Sequence, residues 1–267
     1  MARPQVRRAL VTGASSGIGL AVAKQLAARG IEVWLAARRR DRLEAAVEEI
    51  TKTGGRAHAF ELDISKVDET VARLARLDAE TGGIDLVVAN AGLAGARGGI
   101  PLPDCEWADV RDVLHTNLTG AAATVFPFIR PMIARGHGHL VGISSINADL
   151  PTGRTAPYGG SKAGFTAFLE NADIELRALG VDVTIIHPGF VATPALDELR
   201  GEVAMPIVVS AERAARIIDR AILRRARLVR FPWIMGVVVR LIAWLPRFIT
   251  RPLIRRASLP ASKKLAA

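Results

Sequence analysis

Tyr158-Gly159-Gly160-Ser161-Lys162 is the stretch whose residue types first invite chemistry, because Tyr158 is the only tyrosine in the chain. Lys162 follows four residues on, so one helical turn puts both side chains on the same face. A phenol near its reference pKa of about 10 is a poor base at neutral pH. A neighbouring ammonium favours the phenolate, which tunes Tyr158 toward proton exchange with a substrate oxygen. Ser145 stands thirteen residues before Tyr158. From there it can hydrogen-bond the same oxygen and orient it. Ser144 is the rival for that role.

A second stretch suits phosphate. Leu10-Val11-Thr12-Gly13-Ala14-Ser15-Ser16-Gly17-Ile18-Gly19 runs from an apolar segment through a glycine-rich turn into a helical pattern. Gly13 permits a sharp exit from the strand. Gly17 keeps side-chain bulk away from a diphosphate, and Gly19 allows the helix to pack close to the sheet. Ser15, Ser16 and Ile18 complete the turn. The helix start aims free N–H groups and partial positive charge at an anion. The next apolar run ends at Ala37-Arg38-Arg39-Arg40. A site for NAD usually places an acid there for the ribose 2′-hydroxyl, whereas a guanidinium binds a 2′-phosphate bidentately. The expected cofactor is therefore NADP(H), with Arg38 as the main contact and Arg39 as the second.

These residues need a scaffold, and the hydrophobic pattern supplies one. Strand-like runs cover residues 8–12, 32–37, 57–62, 84–89, 139–143, 181–187 and 227–231. Helical patterns cover 17–29, 41–53, 67–80, about 104–135 (as two helices) and 157–179. Such alternation predicts βαβ units and a parallel sheet with right-handed crossovers. The reading is an α/β, Rossmann-like doubly wound sheet of about seven strands in one catalytic domain, residues 1–231, followed by an extension, 232–267. Ligands in such a sheet lie beyond the carboxyl ends of the strands. Those ends carry Gly13, Arg38, Asp63, Asn90-Ala91-Gly92, Ser144-Ser145 and Pro188-Gly189.

From about Val6 to about Val229 the chain resembles the short-chain dehydrogenase/reductases. Residues 12–19 match the family's T-G-x-x-x-G-x-G, and Ala89-Asn90-Ala91-Gly92 is similar to its N-N-A-G with Ala89 replacing the first Asn. Asp63-Ile64 resembles the pair beside the adenine. Pro188-Gly189-Phe190-Val191-Ala192-Thr193 resembles its P-G-x-x-x-T segment, which contacts the nicotinamide carboxamide, here through Pro188, Gly189, Val191 and Thr193. Ser145, Tyr158 and Lys162 align with its catalytic residues, and Asn117 with its structural and proton-relay Asn. The resemblance implies hydride transfer between the nicotinamide and a carbonyl or secondary alcohol. In that scheme Tyr158 exchanges the proton and Ser145 polarises the carbonyl. Lys162 binds ribose hydroxyls and lowers the tyrosine pKa, and Asn117 holds a water linking Lys162 to solvent. It also implies a homodimer or homotetramer through the helices around Asn117 and Tyr158.

The 267 residues carry a net charge of +10, but twelve Lys or Arg and no Asp or Glu lie from Arg220 onward. The first 219 residues hold 24 basic against 26 acidic groups, so the basic character belongs to the tail. Residues 232–256 are apolar as well as basic, with Trp233 and Trp244 among them. No window of about twenty residues is free of charge and proline, which argues against a spanning helix. Arg240, Arg247, Arg251 and Arg255 fall on one helical stripe, and Pro246 and Pro252 are expected to divide the segment. This predicts peripheral association with an anionic bilayer. A lid over the site and a subunit contact are the other readings. Nucleic acid is excluded as a partner because the segment is apolar rather than lysine-rich. One cysteine, Cys105, rules out an internal disulfide, and the first residues hold no apolar signal segment. A cytoplasmic location is therefore expected, on the inner face of the membrane where the tail engages it. His58, His115, His137, His139 and His187 lack metal-ligand spacing, so structural roles and no metal are expected.

The apolar tail and the loop Ala148–Ala156, with Leu150 and Pro151, point to an apolar or lipid-like substrate. The alternatives are a dehydrogenase of small hydroxy acids whose tail serves assembly, and a low-turnover dinucleotide-binding scaffold or sensor.

Overall fold

The computed structural model describes residues 5–93, 102–151, 153, 155–197 and 207–258. Residues 259–267 of the extension lie outside that set, as do Thr152 and Arg154 of the loop before Tyr158. The first half alternates as its pattern demands: β1 (Arg8–Thr12), α1 (Gly17–Ala28), β2 (Glu32–Ala37), α2 (Arg40–Lys52), β3 (Ala57–Glu61), α3 (Val67–Glu80) and β4 (Leu86–Ala89). Next come α4 (Trp107–Leu114), a π-helical turn (His115–Gly120), α5 (Ala121–Arg135), β5 (Gly138–Ile143), α6 (Ala156–Leu176) and β6 (Val181–Pro188). β7 (Phe190–Ala192), α7 (Pro194–Asp197), β8 (Val208–Ser210), α8 (Ala211–Arg224), β9 (Leu228–Phe231), α9 (Trp233–Trp244) and α10 (Arg247–Ser258) complete it.

The main sheet has seven strands in the order β3-β2-β1-β4-β5-β6-β9, and every pairing is parallel. The order reverses between β1 and β4, which fixes the crevice where a doubly wound sheet binds ligands. Both faces are covered, so the inner strands are apolar on both sides. Ala9 and Val11 of β1 join one core layer with Val22 and Leu26 of α1, Leu43 of α2 and Ile218 of α8. Leu10, between them, joins the opposite layer with Leu74 of α3, Phe128 of α5 and Phe165 and Leu169 of α6. Phe128 and Phe165 are fully buried, and each such side chain stabilises the fold by roughly 1.5–3 kcal/mol.

Two expectations change, and one gains detail. The region 104–135 does form two α-helices, α4 and α5, joined by the π-helical turn. β7 and β8 form a separate two-stranded parallel sheet that no strand-length apolar run announces. Pro246 does end α9, but Pro252 lies within α10. It occupies that helix's sixth position, where its missing N–H removes one hydrogen bond without ending the helix.

Candidate active site

The glycine turn and the end of β4 are tied together at the switch point. Thr12 Oγ1 accepts from the backbone N–H of Asn90 and of Ala91, both at 3.1 Å. Asn90 Nδ2 returns a hydrogen bond to Thr12 O at 2.9 Å. Gly13 has φ +66°, and a Cβ there would stand 2.7 Å from Asn90 Nδ2. Only glycine allows that conformation and that approach together. Gly17, at φ +58°, lies against Thr193, whose Cγ2 would be 3.0 Å from an added Cβ. The P-G-x-x-x-T segment thus packs on the glycine turn. A Cβ on Gly19 would meet Gly13 O and Asn90 Nδ2, each at 2.5 Å, at the ends of β1 and β4, so its lack of a side chain lets the helix start pack closely on this edge of the sheet.

The turn fits a dinucleotide phosphate. α1 has no acidic residue in its first turn, and its N-cap, Ser16, makes no side-chain capping bond. The first N–H groups of the helix are therefore left for an external anion. At the end of β2, Arg38 is exposed. Arg39 reaches back, its Nη2 donating to Ser15 Oγ at 2.9 Å and Ser16 Oγ at 3.3 Å. Arg38 and Arg39 stand at the phosphate end, and Arg39 rather than Arg38 touches the turn. Asp63 Oδ1 accepts from the backbone and hydroxyl of Ser65 at 3.0 and 2.8 Å. The Ile64 side chain is buried.

The catalytic candidates converge across β5 and α6. Pro157 begins α6 at a position where its missing N–H is harmless, and Tyr158 and Lys162 follow on one face. Lys162 Nζ donates to Ile143 O at 2.9 Å and lies 5.8 Å from the centre of the Tyr158 ring. Ser145 hydrogen-bonds the Tyr158 hydroxyl. Ser144 turns away, donating to Lys162 O at 3.1 Å and pairing with Thr166 Oγ1 at 2.8 Å. The two serines are thereby distinguished, and Ser145 faces the tyrosine.

Burial pushes the Tyr158 phenol above its usual value, and the Ser145 hydrogen bond acts the other way. Burial likewise disfavours the charged lysine, holding Lys162 down at about 8.

Asn117 sits in the π-helical turn, fully buried. Its Oδ1 accepts from Leu93 N at 2.6 Å, and its Nδ2 donates to Leu93 O at 2.9 Å and Ser161 Oγ at 3.2 Å. A Cβ on Gly92 would stand 2.8 Å from Asn117 Oδ1 and 3.6 Å from Lys162 Nζ. The end of β4, the π-helical turn and α6 therefore close on one point. Gly189 N donates to Phe231 O at 2.7 Å, Val191 is buried, and Pro188 ends β6.

Sequence reading missed a polar chain behind this site. Asp149 accepts from His187 Nδ1 at 2.7 Å and from Arg230 Nε and Nη2 at 2.9 and 2.7 Å. His187 Nε2 meets Thr166 Oγ1 at 3.1 Å, and Thr166 meets Ser144. Four separate segments meet here, which no local spacing reveals. The remaining histidines pair locally: His58 stacks on Trp34 at 4.7 Å and contacts Glu32, His115 contacts Ser65 O, His137 lies 3.8 Å from Asp85, and His139 meets Thr184. Among the described residues no His, Cys, Asp and Glu group is arranged to hold a metal.

Comparison with known proteins agrees with this geometry. The family model for short chain dehydrogenases matches residues 7–204. An uncharacterized oxidoreductase of Myxococcus xanthus (strain DK1622) is 41% identical over 246 residues, 92% of this chain and 95% of that one. A metagenomic short-chain oxidoreductase solved with NADP is 30% identical, with a TM-score of 0.70 over 84% of this chain and 96% of that one. A variant actinorhodin polyketide ketoreductase solved with NADPH is 29% identical, with a TM-score of 0.78 over 86% of this chain and 97% of that one.

Proposed function

The chain belongs to the short chain dehydrogenase family of oxidoreductases, and from that premise we propose that it uses NADP(H) to interconvert a carbonyl and a secondary alcohol on an apolar, lipid-like substrate. The observation that carries the reading is the convergence of Ser145, Tyr158 and Lys162 beside the glycine turn. When bound, the dinucleotide supplies or accepts a hydride at its nicotinamide ring. The chain's own residues do the rest. Ser145 donates a hydrogen bond to the substrate oxygen and fixes its orientation. Tyr158 gives that oxygen its proton in reduction and removes it in oxidation. The Lys162 ammonium spends one N–H on Ile143 O and keeps two for ribose hydroxyls. Asn117 holds the Leu93 backbone and, as the resemblance implies, a water on the path from Lys162 to solvent. Arg38 and Arg39 take the 2′-phosphate. Asp63, Ile64 and the Asn90–Gly92 turn border the adenosine, and Pro188–Thr193 the nicotinamide.

Residues 1–231 form the catalytic unit in this reading, and 232–267 its extension. Half-buried Leu150 and exposed Pro151 follow the Ser145 turn and support the apolar substrate. So does the polyketide ketoreductase among the structural relatives. Homo-oligomers are proposed through the helices around Asn117 and Tyr158, where Phe126 and Ile174 are exposed.

The test is Tyr158→Phe. Turnover of hydrophobic ketones with NADPH falls by about 10²–10⁴-fold, while NADPH binding, followed by its fluorescence, stays within about twofold because the phenol contacts chemistry more than cofactor. Unchanged turnover sinks the catalytic assignment. Good reduction of small polar keto acids with none of hydrophobic ketones sinks the substrate class.

A further inference from the structure

α9 departs from the pattern of a surface helix. Its outward side chains are Trp233, Ile234, Val237, Val238, Leu241 and Trp244, between 46% and 86% exposed. At 3.6 residues per turn they span an arc of about 140°. The opposite side packs inward through Gly236 and Val239. A helix that is apolar all round is ordinarily covered on every side. Arg240 stands exposed at the edge of the outer arc. Beyond Pro246, Phe248 and Ile249 continue the apolar surface with Arg251 exposed beside them.

We propose that the outer face of α9, continued by α10, docks on the surface of an anionic lipid bilayer. Charge selects this occupant. Residues 233–258, which form α9 and α10, hold five arginines and no acidic residue. In an isologous pair of subunits the patch meets itself, and this one would set arginine against arginine with no carboxylate of its own segment to pair them. A bilayer with anionic headgroups supplies both requirements, an apolar boundary for the arc and negative charge for the arginines at its edge. Trp233 and Trp244 mark the two ends of α9, and indole favours the headgroup level. Twelve residues of helix rise only about 18 Å, so α9 lies in the interface and does not cross. No helix among the described residues is long and apolar enough to cross a membrane. Arg247 and Arg255, also on the sequence stripe, have side chains outside the described set.

The placement has a consequence for the site. α9 starts beside the P-G-x-x-x-T segment, where a Cβ on Gly189 would stand 3.1 Å from Pro232 Cδ and 3.2 Å from Met235 Sδ. Docking therefore brings the bilayer close to the substrate side of the pocket. That consequence rests on the functional reading above; the docking surface itself does not.

Flotation of the full chain with vesicles tests it. The protein partitions onto mixed phosphatidylcholine–phosphatidylglycerol vesicles, far less onto phosphatidylcholine alone, and less as salt rises. Leu241→Glu combined with Trp244→Glu lowers the partition at least about tenfold, since 1.4 kcal/mol suffices for that factor. Arg240→Glu lowers it on the anionic vesicles and leaves the weak phosphatidylcholine level unchanged. NADPH fluorescence on each variant reports that the catalytic unit is still folded, so failure to float is separable from failure as an enzyme. Absence of flotation, or equal flotation of the wild type and the double variant, overturns the proposal. A concentration-dependent dimer in sedimentation velocity that the double variant abolishes, without wild-type flotation, assigns the face to a second copy instead. Retention of nucleic acid in place of vesicles overturns it likewise.

Discussion

Replacing Asp149 by Asn removes the charge at the centre of the polar chain behind Ser145. Burial alone raises the Asp149 carboxyl, but the donors from His187 and Arg230 more than reverse it and bring the carboxyl from 3.8 to about 2. At 1.36 kcal/mol per unit, that displacement corresponds to about 2.5 kcal/mol of preferential binding of the charged form. Solvent screening on the open side of the carboxylate reduces it to about 1–2 kcal/mol. The sign follows from linkage. The folded pKa lies below the unfolded one, so the contribution is complete above about pH 4 and lost as pH falls toward 2. Asp149→Asn is therefore less stable than wild type by about 1–2 kcal/mol at pH 7, measured by urea denaturation with an unchanged m value. The difference narrows between pH 4 and pH 2, because only the wild type titrates there. Equal urea midpoints at pH 7, or a difference that does not narrow with acid, refute the reasoning.

The other expectations concern the cofactor end and the buried lysine. Arg38→Ala and Arg39→Ala each lower NADPH affinity and leave NADH affinity unchanged in fluorescence titrations. A charge-assisted bond to the 2′-phosphate contributes about 1.5–3 kcal/mol, which is tenfold or more in Kd; equal loss of both cofactors means that the arginines only support the turn. Lys162 titrates near 8 in the folded protein and near 10.5 when unfolded. Between those values the unfolded chain binds the extra proton, so stability attributable to this group rises with pH. The wild type therefore gains stability relative to Lys162→Met from pH 8 to pH 10 in parallel urea titrations, and a flat difference rejects the burial argument.

How much was legible depended on whether a feature is local. The seven main strands, the glycine turn and the Tyr158–Lys162 pair each reside in one short stretch, and periodicity or fixed spacing exposes them. Val67–Glu80 and Glu32–Ala37 have the boundaries the pattern set. β7 and β8 were not legible, because three-residue strands are shorter than any alternation test. The π-helical turn at Asn117 is also silent in sequence, since one extra residue in a turn leaves apolar periodicity almost unchanged. The desolvation of Tyr158 and Lys162 was not legible either: spacing reports who is adjacent but not how much water each group loses, and desolvation is the largest influence on both groups.

Arg230 shows why the tail and the site should be considered together. It lies on β9, an edge strand paired to β6 through His187↔Arg230. Its guanidinium holds Asp149, the residue that ends the turn begun by Ser145. Its Cβ and stem lie under Gly236 of α9, where an added Cβ would stand 2.8 Å away. One side chain therefore touches both the loop that follows the catalytic serine and the helix whose outer face is apolar. Shifting α9 against β9 shifts the stem that aims the guanidinium, and among the described residues Arg230 is the one arginine or lysine hydrogen-bonded to Asp149. A change confined to the apolar outer arc leaves that stem in place, whereas Gly236→Val drives into it. Gly236→Val should consequently reproduce the Asp149→Asn loss of stability at pH 7, while Trp244→Glu should not. That contrast separates the role of α9 as a buttress of the site from its role as a surface.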